Sequence, residues 1–409
     1  MKRNVIVGQS GGPTAVINSS LAGVYNTAIE RGAKKVYGMR HGIQGLMKGD
    51  YVDLSKYIKN DLDSEILKRT PAAFLGSCRY KLPEIHEDKA VYDKIFALLN
   101  ELDIEAFIYI GGNDSMDTIS KLAAYGKKIG SDIRFAGVPK TIDNDLVMID
   151  HTPGYGSAAK FIAQSLLEMA HDTAIYEVLC VTIVEIMGRN AGWLTAAAAL
   201  ARNEYSDIPQ LIYLPEVPFD IDRFVEDVRE ELKKTRNVVV AVSEGIKNAD
   251  GEYISATSAV SDKFGHAQLS GAGKCLEGII KDRLNIKCRS VELNILQRAA
   301  AHSASKTDLD ESMSLGEKAV EYALEGNSGF MPLLVRTSDE PYTYSYEIGM
   351  LSDIANKEKQ VPTEWITESQ NDVKPELVSY MKPLILGEVS IEYKNGLPSY
   401  MEIPHLTGK

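Results

Sequence analysis

The chain has 409 residues, 44% hydrophobic and 25% charged, an ordinary globular mix with room for two or three domains or one large α/β body. A chain of this length buries a large core, which excludes a collagen, a disordered tail and a small disulfide scaffold. The 45 basic and 57 acidic residues leave a net charge of −12, which argues against a nucleic-acid binder but allows a local basic pocket for phosphates.

In chain order, residues 4–7 form a short β-rich run that breaks at Gly8-Gln9-Ser10-Gly11-Gly12-Pro13. A helical pattern follows over 15–31, then a second strand over 35–37. Residues 106–110 read as a strand, followed by Gly111-Gly112 and a helix to about Lys128. A fourth strand over 134–138 ends in Pro139. The alternation resumes with a helix over 157–170, a nearly all-apolar strand over 178–186 and an alanine-rich helix over 193–202. Strands over 211–214, 238–242 and 287–293 follow, with helices near 222–235 and 273–284 between them. Strands alternating with helices, with glycines at the strand ends, predict parallel sheets covered on both faces. The expected fold class is α/β, with two Rossmann-like lobes, mainly parallel sheets and the active site in the cleft between them. The changeover is expected near Pro153-Gly154. Residues from about 371 onward carry strand-like pieces over 384–386 and 389–393 and no readable motif.

The four cysteines (Cys78, Cys180, Cys275, Cys288) have no Cys-x-x-Cys spacing and read as reduced cytosolic thiols. Apolar runs are too short for a signal peptide or a membrane span, so a cytoplasmic protein without membrane contact is expected. His266 and the other histidines lack metal-ligand spacing and receive no role.

Chemistry concentrates at strand ends. Gly8-Gln9-Ser10-Gly11-Gly12 lies between strand and helix, where backbone N–H groups and a helix N-terminus can hold an anion. The plainer alternative is a tight turn. The loop is neither a Walker loop nor a dinucleotide fingerprint. Gly111-Gly112-Asn113-Asp114-Ser115 repeats the arrangement, and two such turns point into one crevice. Asn113 and Asp114 are helix N-caps on one reading; on another, Asp114 helps hold Mg²⁺. Pro139-Lys140-Thr141-Ile142-Asp143-Asn144-Asp145 packs a lysine, a hydroxyl and two carboxylates after a strand. Carboxylates two apart in extended chain share a side, which suits a general base and a partner carboxylate near a metal. A solvated turn is the alternative, weakened by the apolar Ile142. Met187-Gly188-Arg189, Glu244-Gly245, Arg289 and Gln297-Arg298 also fall at strand ends. Each alone reads as an ion-pair partner; together they suit a phosphorylated polyol, with arginines at the phosphate and carboxylates at the hydroxyls.

Over roughly residues 3–330, Gly-Gly, Gly-Gly-Asn-Asp-Ser, Pro-Lys-Thr-Ile-Asp-Asn-Asp, Met-Gly-Arg, Ser-Glu-Gly and Gln-Arg stand in an order that resembles the phosphofructokinase family. The resemblance implies Mg²⁺ and transfer of a phosphoryl group to the 1-hydroxyl of fructose 6-phosphate, a glycolytic and gluconeogenic step. It implies Asp143 as the base, with Lys140, Asp114 and Arg189 beside it in catalysis. Thr141, Asp143, Asp145, Met187, Gly188, Arg189, Glu244, Arg289 and Arg298 are implied at the sugar phosphate. Gly11, Gly12, Arg79, Gly112, Asp114 and Lys140 are implied at the donor, and Asn113 at the metal position. Asp114 and Lys140 stand where ATP-using members typically carry glycine, which resembles the pyrophosphate-dependent branch. A carboxylate at 114 would repel a nucleotide's α-phosphate, and Lys140 would fill that space. An ATP-dependent kinase or a non-catalytic sugar-phosphate-binding regulator of the same fold are the alternatives.

Departures from the family pattern are Asn113 for the usual metal aspartate, Ile295, Cys180, and Ala299-Ala300 after Gln-Arg. They leave room for a longer sugar phosphate such as sedoheptulose 7-phosphate. The implied division is a donor lobe of 1–154 plus about 299–370, a sugar-phosphate lobe of 155–298, and a C-terminal extension over 371–409. A homodimer or homotetramer is expected, with Arg289 reaching a neighbour's site.

Overall fold

The computed structural model describes residues 3–175, 177–255, 260–261, 267–268 and 271–402; His266 lies outside the described residues. The chain opens with β1 (Asn4–Gln9), α1 (Ile17–Glu30), β2 (Val36–Met39) and β3 (Tyr51–Asp53). Then come β4 (Ile104–Gly111), α2 (Asn113–Lys128), β5 (Arg134–Pro139) and the long α3 (Tyr155–Ala174). The second half brings β6 (Cys180–Ile186), β7 (Leu211–Tyr213), α4 (Ile221–Lys234) and β8 (Asn237–Ser243). It continues with α5 (Ala272–Leu284), β9 (Lys287–Glu292), α6 (Lys306–Leu324), β10 (Phe330–Asp339) and β11 (Tyr342–Met350). A short helix, α7 (Pro375–Met381), follows.

Two sheets organise these elements. The first has seven strands in the order β11-β10-β5-β4-β1-β2-β3, and the second four, β9-β6-β8-β7. Strands β2, β1, β4 and β5 are parallel, as is the whole second sheet; β3 and β11 join antiparallel at the edges of the first. The all-apolar strands make sense in this frame. Every residue of β6 is buried, because helices cover both faces. Helix α4 illustrates the amphipathic cover. Asp220 caps it by accepting from the N–H groups of Asp222 and Arg223, and it buries Phe224, Val225 and Val228. The expected α/β class with mainly parallel sheets in two lobes is the observed one.

Some expected pieces differ. The helix expected over 193–202 is one α-helical turn, Trp193–Ala196, tightening into a 3₁₀ stretch, Ala197–Ala201. The strand expected from 178 starts at Cys180, and Val178 is exposed. Residues expected as a strand over 384–386 fall on a 3₁₀ turn, Lys382–Ile385, opened by Pro383, whose fixed φ and missing donor favour that turn. Of the piece expected over 389–393, only Tyr393–Lys394 is strand, paired with Leu397–Pro398. The C-terminal region is structural: Val361, Ile366, Val373, Leu377, Met381 and Leu384 enter a core that also holds Tyr155 and Trp193.

Candidate active site

The loops that leave β1, β4 and β5 meet in a cavity of about 380 Å³. Gly11, Gly12, Arg79, Gly112, Asp114 and Lys140 line it, together with Thr141, Asp143 and Asp145. Three strand ends converge because β1, β4 and β5 are adjacent and parallel, so their C-terminal loops share one edge.

Lys140 lies against the glycine loop of this cavity. It is only 3% exposed, and its Nζ donates to Gly12 O at 2.7 Å. Gly11 has φ +78°, which strains any other residue, and a Cβ there would lie 3.2 Å from that Nζ, a tight contact the lysine would have to shift to relieve. Burial pulls the Lys140 pKa down to about 8, while Asp143 and Asp145 oppose that pull. Arg298 lies close by: its Nη1 would be 3.6 Å from a Cβ on Gly12.

The loop after Lys140 presents the carboxylates. The N–H of Asp143 donates to Thr141 Oγ1 at 3.1 Å. Burial first, and the Glu244 carboxylate second, raise the pKa of Asp143 to about 6; Lys140 and Arg189 resist the rise. Burial, then Asp143 and Glu358, raise Asp145 to about 7. These carboxylates therefore sit in the range where a base both ionises at neutral pH and accepts protons.

Glu244 and Arg189 come from the second sheet, across the cleft. Their two turns are built on each other. Ser243 Oγ donates to Gly188 O at 2.6 Å, and the Gly188 N–H donates to Glu244 Oε1 at 3.3 Å. A Cβ on Gly245 would lie 2.0 Å from Arg189 O, so only glycine lets the turns approach this closely. Met187 follows β6 directly and packs against the neighbouring core. Arg189 Nε and Arg298 Nε are buried and make no hydrogen bond, a cost that an anionic ligand would remove.

Asn113 lines the same cavity but is tied to another segment, and Arg289 lies apart from it. Asn113 has both ends of its amide committed: Nδ2 donates to Lys357 O and Oδ1 accepts from Asn356 N–H, each at 2.6 Å. It clamps a backbone segment from within the cavity lining. Arg289 lies on the edge strand β9, 3.5 Å from Asp172, in a separate groove of about 430 Å³ with Thr182, Val291 and Leu296. It is not brought to the cleft of its own chain.

The family model described as Phosphofructokinase matches residues 4–323. The chain belongs to the phosphofructokinase family. It is 41% identical to the pyrophosphate--fructose 6-phosphate 1-phosphotransferase of Halomonas elongata, over 98% of this chain and 96% of that protein. It is 39% identical to the protein of the same name from Methylococcus capsulatus, again over 98% of this chain and 96% of the other. The crystal structure of a pyrophosphate-dependent phosphofructokinase from Nitrosospira multiformis superposes with a TM-score of 0.89 at 37% identity, covering 98% and 96% of the two chains.

Within this phosphofructokinase, several residues near the site carry no readable motif. Glu358 lines the cavity and accepts from Asn190 Nδ2 at 3.3 Å. Lys359 lies behind the aspartate loop, its pKa lowered to about 8 by burial, with Asp150 and Asp145 opposing. Both sit in Asn356-Lys357-Glu358-Lys359, a polar stretch far in sequence from its contacts, 168 residues for Asn190 and 215 for Asn144. Asn144 lies inside the aspartate motif, and its left-handed φ of 54° and buried, hydrogen-bonded amide give it a structural task that the sequence does not signal.

Proposed function

We propose that this phosphofructokinase reversibly transfers a phosphoryl group from pyrophosphate to the 1-hydroxyl of fructose 6-phosphate, giving fructose 1,6-bisphosphate. The carrying observation is Lys140, buried under the glycine loop with its ammonium 2.7 Å from Gly12 O, with Asp114 in the same cavity. The lysine fills donor space and supplies a fixed cation where phosphoryl charge develops; the carboxylate opposes a longer polyphosphate. The names of the relatives at about 40% identity support the same donor.

Asp143 takes the proton of the attacking hydroxyl, held by Thr141 and ionised above about pH 6. Arg189 and Arg298 offer unpaired guanidinium N–H groups to the sugar phosphate. Glu244, Asp145, Met187 and Gly188 shape the acceptor side, and Gly11, Gly12, Gly112 and Arg79 the donor side.

Mg²⁺ fits this donor set in one form. Among the described residues no three carboxylates, cysteines or histidines lie close enough to hold a metal by themselves. The oxygen ligands suit an ion that arrives largely coordinated by pyrophosphate, with Asp114 as its protein carboxylate. When bound, it neutralises charge on the transferring oxygens. The groove at Arg289, with Ile295 58% and Leu296 63% exposed beside it, supports a homo-oligomer in which Arg289 faces a partner's site. No helix among the described residues is long and apolar enough to cross a membrane, and all four cysteines are free, which supports a cytoplasmic setting.

The test offers pyrophosphate, ATP and GTP in parallel, with fructose 6-phosphate and sedoheptulose 7-phosphate as acceptors. Turnover with pyrophosphate and fructose 6-phosphate alone is the expected result; a preference for a nucleotide contradicts the donor reading.

A further inference from the structure

Residues 356–361 lie beyond the stretch matched by the family model and bond to both lobes. On one side, the Asn356 N–H donates to Asn113 Oδ1 at 2.6 Å, and Asn356 Nδ2 donates to Asp117 Oδ1 at 2.9 Å. On the other, Val361 N–H donates to Glu216 Oε1 at 3.0 Å, and Gln360 Nε2 to Asn190 O at 3.2 Å, next to Arg189. Trp193 Nε1 donates to Lys359 O at 3.0 Å.

Lys359 stands in the middle of this strap and holds the aspartate loop. Its backbone N–H donates to Asp145 O at 2.7 Å. Its Nζ donates to Asn144 Oδ1 at 3.3 Å, Ile149 O at 3.1 Å and Asp150 O at 2.7 Å. An ammonium has three donors, and all three are engaged with the loop, so this side chain has none left for a substrate. Asn144, between the two carboxylates, is fully buried and left-handed. Its Oδ1 also accepts from the Thr152 N–H at 3.0 Å, and its Nδ2 donates to Tyr380 Oη at 3.0 Å. Tyr380 Oη in turn donates to Asp150 O at 2.6 Å. A backbone conformation of this kind persists only when its surroundings over-determine it.

We propose that Lys359 is a positioning residue for Asp143 and Asp145, and that the strap fixes their loop to the sugar-phosphate lobe, with Tyr380 as its second support. This rests on the assignment of Asp143 as the base. Misplacing a reacting group by about 1 Å costs on the order of 10²-fold in rate, whereas substrate affinity depends on other side chains.

The experiment uses the full-length enzyme with Lys359→Met and, separately, Tyr380→Phe. Steady-state kinetics, thermal melting and amide hydrogen exchange over residues 141–152 are measured for each. For Lys359→Met, kcat should fall about 30- to 300-fold, with both KM values within about threefold of wild type and faster exchange in the loop. Tyr380→Phe should lower kcat about fivefold and the melting temperature by only a few degrees, since it removes one hydroxyl from a buried network. A folded Lys359→Met enzyme with kcat within about threefold of wild type overturns the proposal, as does a rise in KM with kcat retained. Should Lys359→Met fail to fold, Tyr380→Phe decides: kcat lowered in a folded enzyme with both KM values retained supports the proposal, and unchanged kcat overturns it. Should wild type lack pyrophosphate-dependent turnover, the functional reading fails by itself. Loop exchange then decides the inference, with faster exchange in support and unchanged exchange against.

Discussion

On the proposed donor wall, Lys140 is buried, hydrogen-bonded to Gly12 O and set against Gly11, whose φ of +78° favours glycine. At the acceptor end, Arg189 and Arg298 each keep a buried Nε without a hydrogen bond. The first region has its hydrogen bond made within the protein; the second keeps buried donors that an anion would satisfy. On the proposed assignment, donor choice is built into the fold as shape and charge, while the sugar phosphate is recognised by buried donors held open for it.

Loss of the base should have the largest effect. Asp143→Ala should lower kcat about 10²–10⁴-fold with little change in melting temperature, because proton acceptance in the transition state disappears. Turnover near wild type would remove Asp143 from its role.

The contrast between the two ends is sharpened by Arg189→Ala. Removing a charge-assisted contact should raise the KM for the sugar phosphate roughly 10- to 100-fold, about 1.5–3 kcal/mol, and leave that for pyrophosphate nearly unchanged. An effect confined to pyrophosphate would place Arg189 at the donor and break the comparison.

A smaller effect is expected in the pH profile. The raised pKa of Asp143 means its carboxylate is present above about pH 6 and is lost as pH falls through that value. The acid limb of kcat/KM should therefore lie near pH 6. Glu244 is the second cause of that rise, so Glu244→Gln should move the limb to lower pH. A limb that stays in place or moves upward would show that the two carboxylates do not face each other across the cleft.

Much of this molecule is legible from sequence because its chemistry sits where periodicity changes. Apolar runs such as 180–186 mark buried parallel strands, and the residues just after them, Met187-Gly188-Arg189, must then lie on the ligand edge. The same logic brings Gly11, Gly112 and Lys140 together without knowledge of any contact. What was not legible depends on tertiary partners. Asn113 reads as a cap or a ligand, yet its amide is used by backbone 243 and 244 residues away. The segment around Lys359 is polar and lacks a period, and its bonds go mostly to backbone atoms, which leave no side-chain signature. Helix α7 was hidden for another reason. It is seven residues long and is stabilised by packing, with Leu377 and Met381 buried, rather than by its own propensity.

The central claim is that Lys140 and Asp114 make this a pyrophosphate site, and initial rates at matched donor concentrations test it most directly. Wild type, Lys140→Gly and Asp114→Gly would each receive pyrophosphate and ATP with saturating fructose 6-phosphate. Wild type should turn over pyrophosphate with little or no activity on ATP. Lys140→Gly should lose pyrophosphate turnover by about 10²-fold or more, since a placed cation at the transferring group is removed. Asp114→Gly should raise the ATP rate above that of wild type, because a repulsive carboxylate is gone. A wild type that prefers ATP, or a Lys140→Gly enzyme that keeps its pyrophosphate rate, would contradict the account.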